Sequence, residues 1–295
     1  IPSRLVGSEM CIRDRDYAER LIAKFHKGLD QLIMVCSGSE ANDIALRMAQ
    51  AVTGKTGIIS TDNTYHGNTM AVSQLSSRKP PIGGYAANIR HVPAPDTLRP
   101  VGGNAKTQAQ AFAQEIQKAI NDLEVSGHGF SGFLFCPTFA NEGLPDLPKD
   151  FMKPAEKVVH AAGGVLISDE VQPGFGRTGD SWWGYEWLGL SPDVVTLGKP
   201  MANGHPVAAV VARENVMSEF RNAFGYFNTF GGNPVSCAAA SATLDVIEED
   251  DLIANSKIVG HSFLERLQAI KHGSIASVRG RGLFICLLYT SDAAD

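Results

Sequence analysis

An α/β fold, three layers deep with a mostly parallel sheet between helices, is predicted by three features of the 295-residue sequence. Strand-like apolar runs alternate with segments of helical spacing, as a sheet built from strand–helix–strand units requires. Glycines stand where helices should stop, at Gly54 and at Gly163-Gly164, because glycine adopts a left-handed C-terminal conformation without steric cost. Polar clusters follow directly on strands, at Ser37–Glu40, Tyr65-His66, Asp169–Gln172 and Lys199. In parallel sheets, ligands sit at the carboxyl ends of strands.

The elements follow in order. LIMVCS (32–37) reads as the first strand. SGSEAN opens a helix: Ser37 and Glu40 have capping-box spacing, and Ala41, Ile44, Ala45, Met48, Ala49 and Val52 recur as one buried face. GIIST (57–61) is a strand that ends in the polar loop DNTYHGNT, and a Pro/Gly-rich stretch over 79–104 reads as loop. AQAFAQEIQKAINDLEV (109–125) is an amphipathic helix, GFLFC (132–136) a strand, and 150–162 a helix. VLISDEVQ (165–172) carries a buried strand into two adjacent acids, while DVVTLGKP (193–200) and VAAVVA (207–212) are further strands. SCAAASATLDVIEED (236–250) is a long helix, and ASVRGRGLFI (276–285) begins a new unit. Neither an internal repeat nor a low-complexity tract interrupts this order.

Composition narrows the function classes. The net charge of −5 provides no basic surface for nucleic acid. Without an apolar run of about 18 residues no membrane span is expected. The five cysteines, Cys11, Cys36, Cys136, Cys237 and Cys286, are scattered and odd in number. That argues against a disulfide framework and for a reducing, cytoplasmic setting. CxxC and HExxH are both missing, so no metal site is expected. The ends IPSRLVGSEMCIRDR and CLLYTSDAAD break the neighbouring periodic patterns and resemble translated adaptor sequence of a metagenomic fragment. Residues 1–15 and 286–295 are therefore set aside as non-native.

Lys199 ends an apolar strand and precedes a proline. Most strand-end lysines reach out to water, but an amine there can also form a Schiff base with a carbonyl. Asp169 ends a strand in the same way. An amine and a carboxylate, both at strand ends, suit pyridoxal phosphate: the first carries its aldehyde, and the second keeps the ring nitrogen protonated. Strand alternation turns Glu170 to the opposite face, into a structural role. Gly38 permits close backbone approach, and the helix opening there presents free N–H groups to a phosphate.

SGSEAN, TYHG, SDEVQPGFGRTG, TLGKPMANGHPV and FNTFGGNP together resemble a class III aminotransferase, of pyridoxal-phosphate fold type I. GKPMANGHPVAAVV with YFNTFGGNPVSCA is most similar to the alanine–glyoxylate aminotransferase 2-like branch, which holds transaminases and phospho-lyases acting on phosphoethanolamine-like amines. The resemblance covers about Asp16 to Ile285. It implies a large cofactor-binding domain over 16–235. A connecting helix and the start of a small domain would occupy 236–285, with that domain largely missing. It makes Lys199 the Schiff-base lysine and general base, and Asp169 the ligand of the pyridine nitrogen. Gln172 would hold the ring hydroxyl, Val171 and Tyr65 would cover the two ring faces, and Gly38 and Ser39 would bind the phosphate. His66 follows the stacking aromatic, with a structural hydrogen bond as the other reading. Thr229 would reach the phosphate of a neighbouring subunit, which implies a homodimer. Arg177 would steady the glycine loop through hydrogen bonds. The substrates would be an amino donor and a 2-oxo acid, with no nucleic acid or membrane partner.

One segment departs from the family pattern. Where the family has a motif like EPVQGEGG, this chain has CPTFANEG. Cys136 and Asn141 occupy the places of two glutamates, and Glu142 lies one residue beyond the second. Cys136 is expected to be a small buried residue rather than a nucleophile. Three other readings compete. GFGRTG (174–179) matches a dinucleotide fingerprint, yet two acids and a proline separate it from the strand and no clean helix start follows. A non-enzymatic binding module would make five ordered motifs accidental. An inactive fragment would keep the fold without the activity.

Overall fold

The computed structural model describes residues 12–290. Helix α1 (Ile12–Ile22) and strand β1 (Gln31–Val35) lead into helix α2 (Gly38–Thr53). Then come β2 (Gly57–Thr61), β3 (Ile89–Val92), α3 (Gln108–Val125), β4 (Phe130–Phe135), α4 (Lys153–Ala161) and β5 (Val165–Asp169). A short α5 (Gly184–Trp187) precedes β6 (Val194–Leu197), β7 (Ala208–Ala212) and α6 (Glu214–Ala223). The chain closes with α7 (Pro234–Glu249), α8 (Leu252–Ala269) and the strands β8 (Ile275–Arg281) and β9 (Phe284–Tyr289).

Seven strands form one sheet in the order β1-β7-β6-β5-β4-β2-β3. The pairings from β6 through to β3 are parallel. β7 runs antiparallel to both of its neighbours, β1 and β6. β8 and β9 pair separately as an antiparallel hairpin.

The alternation of side chains makes this a three-layer structure. In β4, Phe133 and Phe135 join one core cluster while Leu134 joins the other; in β7, Ala209 and Val211 part from Ala208 and Val210 in the same way. Both faces of the sheet are thus dry. One face is covered by α2 and α6 through Ile44, Met48, Met217 and Phe220. Residues of α3, α4 and α7, including Phe112, Val159 and Leu244, cover the other. Each fully buried Phe or Leu contributes about 1.5–3 kcal/mol from apolar area alone.

The expected mostly parallel αβα fold is what is observed, with differences at particular elements. α2 starts and stops where its signals stand: the Ser37 hydroxyl accepts from the Glu40 N–H, and Gly54 is left-handed at φ 66°. The first strand ends at Val35 rather than Ser37, because Ser37 is spent as the cap. The 79–104 stretch is not all loop, since Ile89–Val92 pairs with β2 as the edge strand β3. α1, α6 and α8 were not anticipated. Of the segments set aside as non-native, residues 1–11 and 291–295 lie outside the described residues. Ile12 onward belongs to α1 and Cys286–Tyr289 to β9. Among the described residues no helix is long and apolar enough to cross a membrane, and no group of three or more candidate metal ligands occurs.

Candidate active site

Three backbone segments converge at one end of the sheet: the start of α2, the end of β5 and the end of β6. The β5–β6 register pairs Asp169 with Thr196, which brings Gly198 and Lys199 beside the chain that follows Asp169. Val171 is the contact point. A Cβ at Gly38 would lie 2.9 Å from Val171 Cγ1, and one at Gly198 would lie 3.2 Å from that atom and 3.4 Å from Gly38 Cα. The convergence therefore depends on two residues without side chains.

The converging segments bound a cavity of about 610 Å³, including space open to solvent, lined by Gly38, Ser39, Tyr65, His66, Gly67, Cys136, Asn141, Asp169, Val171, Gln172 and Lys199. Every residue singled out as a cofactor contact lines it except Thr229. Thr229 is exposed, in the segment between α6 and α7.

Asp169 is buried and fully engaged. Its Oδ2 accepts from His66 Nδ1 (2.6 Å) and from Asn42 Nδ2 (3.0 Å), and its Oδ1 accepts from the Val171 N–H (3.0 Å). The Asn42 amide also donates to the His66 carbonyl (2.7 Å), while Asn42 Oδ1 accepts from Thr196 Oγ1 (2.7 Å). His66 Nε2 meets Thr64 Oγ1 at 3.0 Å. Glu170 faces away, as alternation requires. Its oxygens accept from the Gly184 N–H (2.9 Å) and the Tyr185 N–H (2.8 Å) and so fix the start of α5. Burial pushes the Glu170 carboxyl up to about 8 against those two bonds.

Cys136 is a buried part of the cavity wall, 3.4 Å from Thr138 Oγ1. Burial, with Asp169 and Glu142 nearby, pushes its thiol up to about 12, so it stays protonated and unreactive. Asn141 lines the cavity; Glu142 does not, and turns inward so that Oε1 accepts from Thr61 Oγ1 at 2.6 Å. Tyr65 remains partly exposed at the cavity edge. Lys199 is an exposed rim residue rather than one sunk in the core, and its backbone lies in the left-handed region at φ 31°.

The glycine loop is not a dinucleotide turn. After β5 the chain passes through turns, with Phe175, Gly176 and Gly179 at positive φ, and no helix begins before α5. A Cβ at Gly179 would meet Lys257 N at 2.6 Å, so the loop packs against α8. Arg177 makes a backbone hydrogen bond and a ring contact here. Its guanidinium lies 5.5 Å from the centre of the Phe284 ring, and its carbonyl accepts from the Leu283 N–H.

Sequence reasoning passed over Asn42, Thr64 and Thr196, which form the shell around Asp169. All three are fully buried polar residues, and none carries a signal in its local sequence.

The residues present fit pyridoxal phosphate. One cavity offers a carboxylate at a strand end, a primary amine at its rim and an aromatic ring with an aliphatic side chain. It also reaches the first turn of a 16-residue helix. The amides of Gly38 and Ser39 have no partner within the helix, and helix starts attract anions.

Comparison with known proteins agrees. A family model described as Aminotransferase class-III matches residues 11–294. The chain is 36% identical over 291 residues to an "Alanine--glyoxylate aminotransferase 2-like" protein of Drosophila melanogaster, covering 94% of this chain and 58% of that one. The chain thus spans a little over half the length of that relative. Among solved structures, a phospholyase from Arthrobacter in complex with phosphoethanolamine superposes with a TM-score of 0.90 at 40% identity, covering 99% of this chain and 69% of the other. An amine transaminase from an uncultivated Pseudomonas species, in its PLP-bound form, superposes with a TM-score of 0.89 at 26% identity, covering 98% and 69%.

Proposed function

The chain belongs to the class III aminotransferases, and on that footing we propose that it is the core of a transaminase moving an amino group from an amino acid or amine to a 2-oxo acid. Its cofactor is pyridoxal 5′-phosphate. One observation carries the proposal: Asp169 and Lys199 line a single cavity at the adjacent ends of β5 and β6.

When bound, the cofactor supplies a carbonyl that takes up amines and a ring that withdraws electrons from the attached carbon. Lys199 Nζ would hold the cofactor between turnovers and give way to the incoming amine. The freed Nζ would then remove the proton from the donor's Cα and hold it for return. Asp169 would hold the ring nitrogen and keep a proton on it. His66, Asn42 and the Val171 N–H orient that carboxylate. Tyr65 and Val171 would pack on the two faces of the ring, and Gln172 would hydrogen-bond its hydroxyl. Gly38 and Ser39 would hold the phosphate at the start of α2. A carbonyl acceptor then runs the sequence in reverse, giving ping-pong kinetics.

The test is a single-turnover incubation with an amino donor and no acceptor. The oxo product should stop at one equivalent per site and resume when a 2-oxo acid is added; Lys199→Ala should form none. Continuous product without an acceptor would refute transamination.

A second reading, a phospho-lyase on phosphoethanolamine-like amines, is supported by the 40% identity to the Arthrobacter enzyme and by Cys136 and Asn141 replacing two family acids. It shares every step through proton removal and then expels phosphate. Phosphoethanolamine alone would then yield inorganic phosphate and ammonia in equal amounts. The site is further proposed to be completed in a homodimer. Thr229 lies between the exposed rings of Phe227 and Phe230, an apolar surface that a second copy would cover while Thr229 reaches its phosphate. A monomer at micromolar concentration, seen by light scattering, would refute this. The proposed division of the chain keeps 16–235 as the cofactor-binding domain and 236–285 as connector and start of a second unit.

A further inference from the structure

Glu142 is a buried carboxyl for which the proposed chemistry has no use. It sits beyond the cavity wall, between β2 and Cys136, and its Oε1 accepts from Thr61 Oγ1 at 2.6 Å. Its Oε2 is buried and has no hydrogen-bond partner. The Thr64 hydroxyl lies against the same carboxyl but makes its own bond with His66 Nε2 at 3.0 Å. An ionised carboxylate with an unpaired oxygen in a dry site would leave a costly vacancy. A carboxylic acid would not, because Oε2 then carries a hydrogen and becomes a donor.

The hydrogen-bond directions around it fix where that donor points. A carboxylate oxygen can only accept, so with Asp169 Oδ2 as the shared acceptor of Asn42 Nδ2 and His66 Nδ1, Nδ1 bears the proton. In the neutral ring Nε2 is then an acceptor, so the Thr64 hydroxyl donates to it. Thr64 Oγ1 is left with a free lone pair against the same carboxyl whose Oε2 lacks a partner. We propose that Glu142 carries a proton on Oε2 and heads a one-way hydrogen-bond chain, Glu142 to Thr64 to His66 to Asp169, that fixes the tautomer of His66.

The surroundings agree. The titratable groups facing Glu142 are His66 and Cys136, with Asp169 on the far side of Cys136. Arg78, on the neighbouring segment, is directed to the carbonyls of Asn63 and Asn141 instead. Burial, the largest influence on Glu142, moves its carboxyl upward. Cys136 is a neutral thiol, so no ionised group directly abuts Glu142 on that side. Glu142 is thus a positioning residue: it acts on Asp169 through two intermediates and touches neither cofactor nor substrate. The catalytic consequence rests on the reading of Asp169 as the ring-nitrogen ligand; the chain itself does not.

The test compares Glu142→Gln, Glu142→Ala and wild type by nitrogen NMR of the His66 ring, first without cofactor. Gln supplies an N–H donor where the acid has its O–H. Wild type and E142Q should both show a single Nδ1–H tautomer at His66, and E142A a mixture. With pyridoxal phosphate, affinity should change less than about threefold in E142Q and fall about tenfold in E142A. E142Q as damaging as E142A would mean that Glu142 works as an anion and would overturn the proposal. So would an unchanged His66 tautomer in E142A. Should E142A not fold, Thr64→Val breaks the chain at its middle link and Thr64→Ser restores it. In a Glu170→Gln background, which removes the other raised carboxyl, the infrared band of a protonated carboxyl should be present and should be lost on adding E142Q; its absence before E142Q would overturn the proposal. A fixed tautomer in a chain that binds no pyridoxal phosphate would support the relay while refuting the cofactor reading.

Discussion

Replacing Gly38 with alanine should disturb the site through Val171, and the effect should be reversible at Val171. The added Cβ would lie 2.9 Å from Val171 Cγ1 and 3.0 Å from Cγ2, both too close for carbon atoms. The backbone at Gly38 is not left-handed, so alanine meets a contact problem and not a conformational one. Val171 cannot simply swing aside: its Cγ1 already faces Gly198, and its N–H is bonded to Asp169 Oδ1. Overpacking of this kind costs about 1–3 kcal/mol. The better helix propensity of alanine offsets less than about 1 kcal/mol of it. Val171→Ala alone loses two methyl groups, about 1.5 kcal/mol of burial, and opens the space that Gly38→Ala fills. The double variant should therefore be more stable than the sum of the singles by about 1–2 kcal/mol. Urea unfolding of the four cofactor-free chains measures this coupling, and titration with pyridoxal phosphate should show affinity falling in G38A and partly returning in the double variant. Additivity to within about 0.5 kcal/mol would refute the argument that Val171 is the contact point of the three segments.

Three other outcomes follow from the same geometry. Lys199→Gly should be more stable than Lys199→Ala by about 1 kcal/mol in thermal melts, because φ 31° burdens any residue with a Cβ; equal stability would remove the strain. Glu170 is raised from 4.5 to about 8, so its contribution to stability is present below 4.5 and is lost as pH rises toward 8. Glu170→Gln should flatten that loss, on the order of a few kcal/mol, in urea unfolding at a series of pH values. His160 is raised above 6.5, chiefly by its bond to Asp193. Wild type should exceed His160→Ala in stability below pH 6.5 and lose that advantage above it, by less than about 1 kcal/mol because the ring is part-exposed.

The order of strands and helices was legible wherever a local rule acts alone. Ser37 and Glu40 announced a helix start, and strand alternation separated Asp169 from Glu170 before any coordinates. The capping box is itself altered: Glu40 reaches the Cys36 N–H at 2.8 Å. β3 was hidden because IRHV is a four-residue edge strand between turn-forming stretches, and its pairing with β2 has no local signature. α6 and α8 lack a side-chain cap hydrogen bond at their starts, so no start signal stood out. The residues around Asp169 were hidden for a related reason. Asn42, Thr64 and Thr196 come from three distant segments and act only once the sheet brings them together. The orphaned oxygen of Glu142 appears only in three dimensions, since spacing alone cannot say which way a loop carboxyl turns.

The account's central claim is that Lys199 holds pyridoxal phosphate in the cavity that Asp169 also lines. Reduction with borohydride after incubation with the cofactor, followed by peptide mass mapping, tests it most directly. The added mass of the reduced cofactor should appear on the peptide containing Lys199, at one per chain, and should disappear in Lys199→Ala. Modification spread over exposed lysines such as Lys118 and Lys257, with Lys199 unmodified, would contradict the claim.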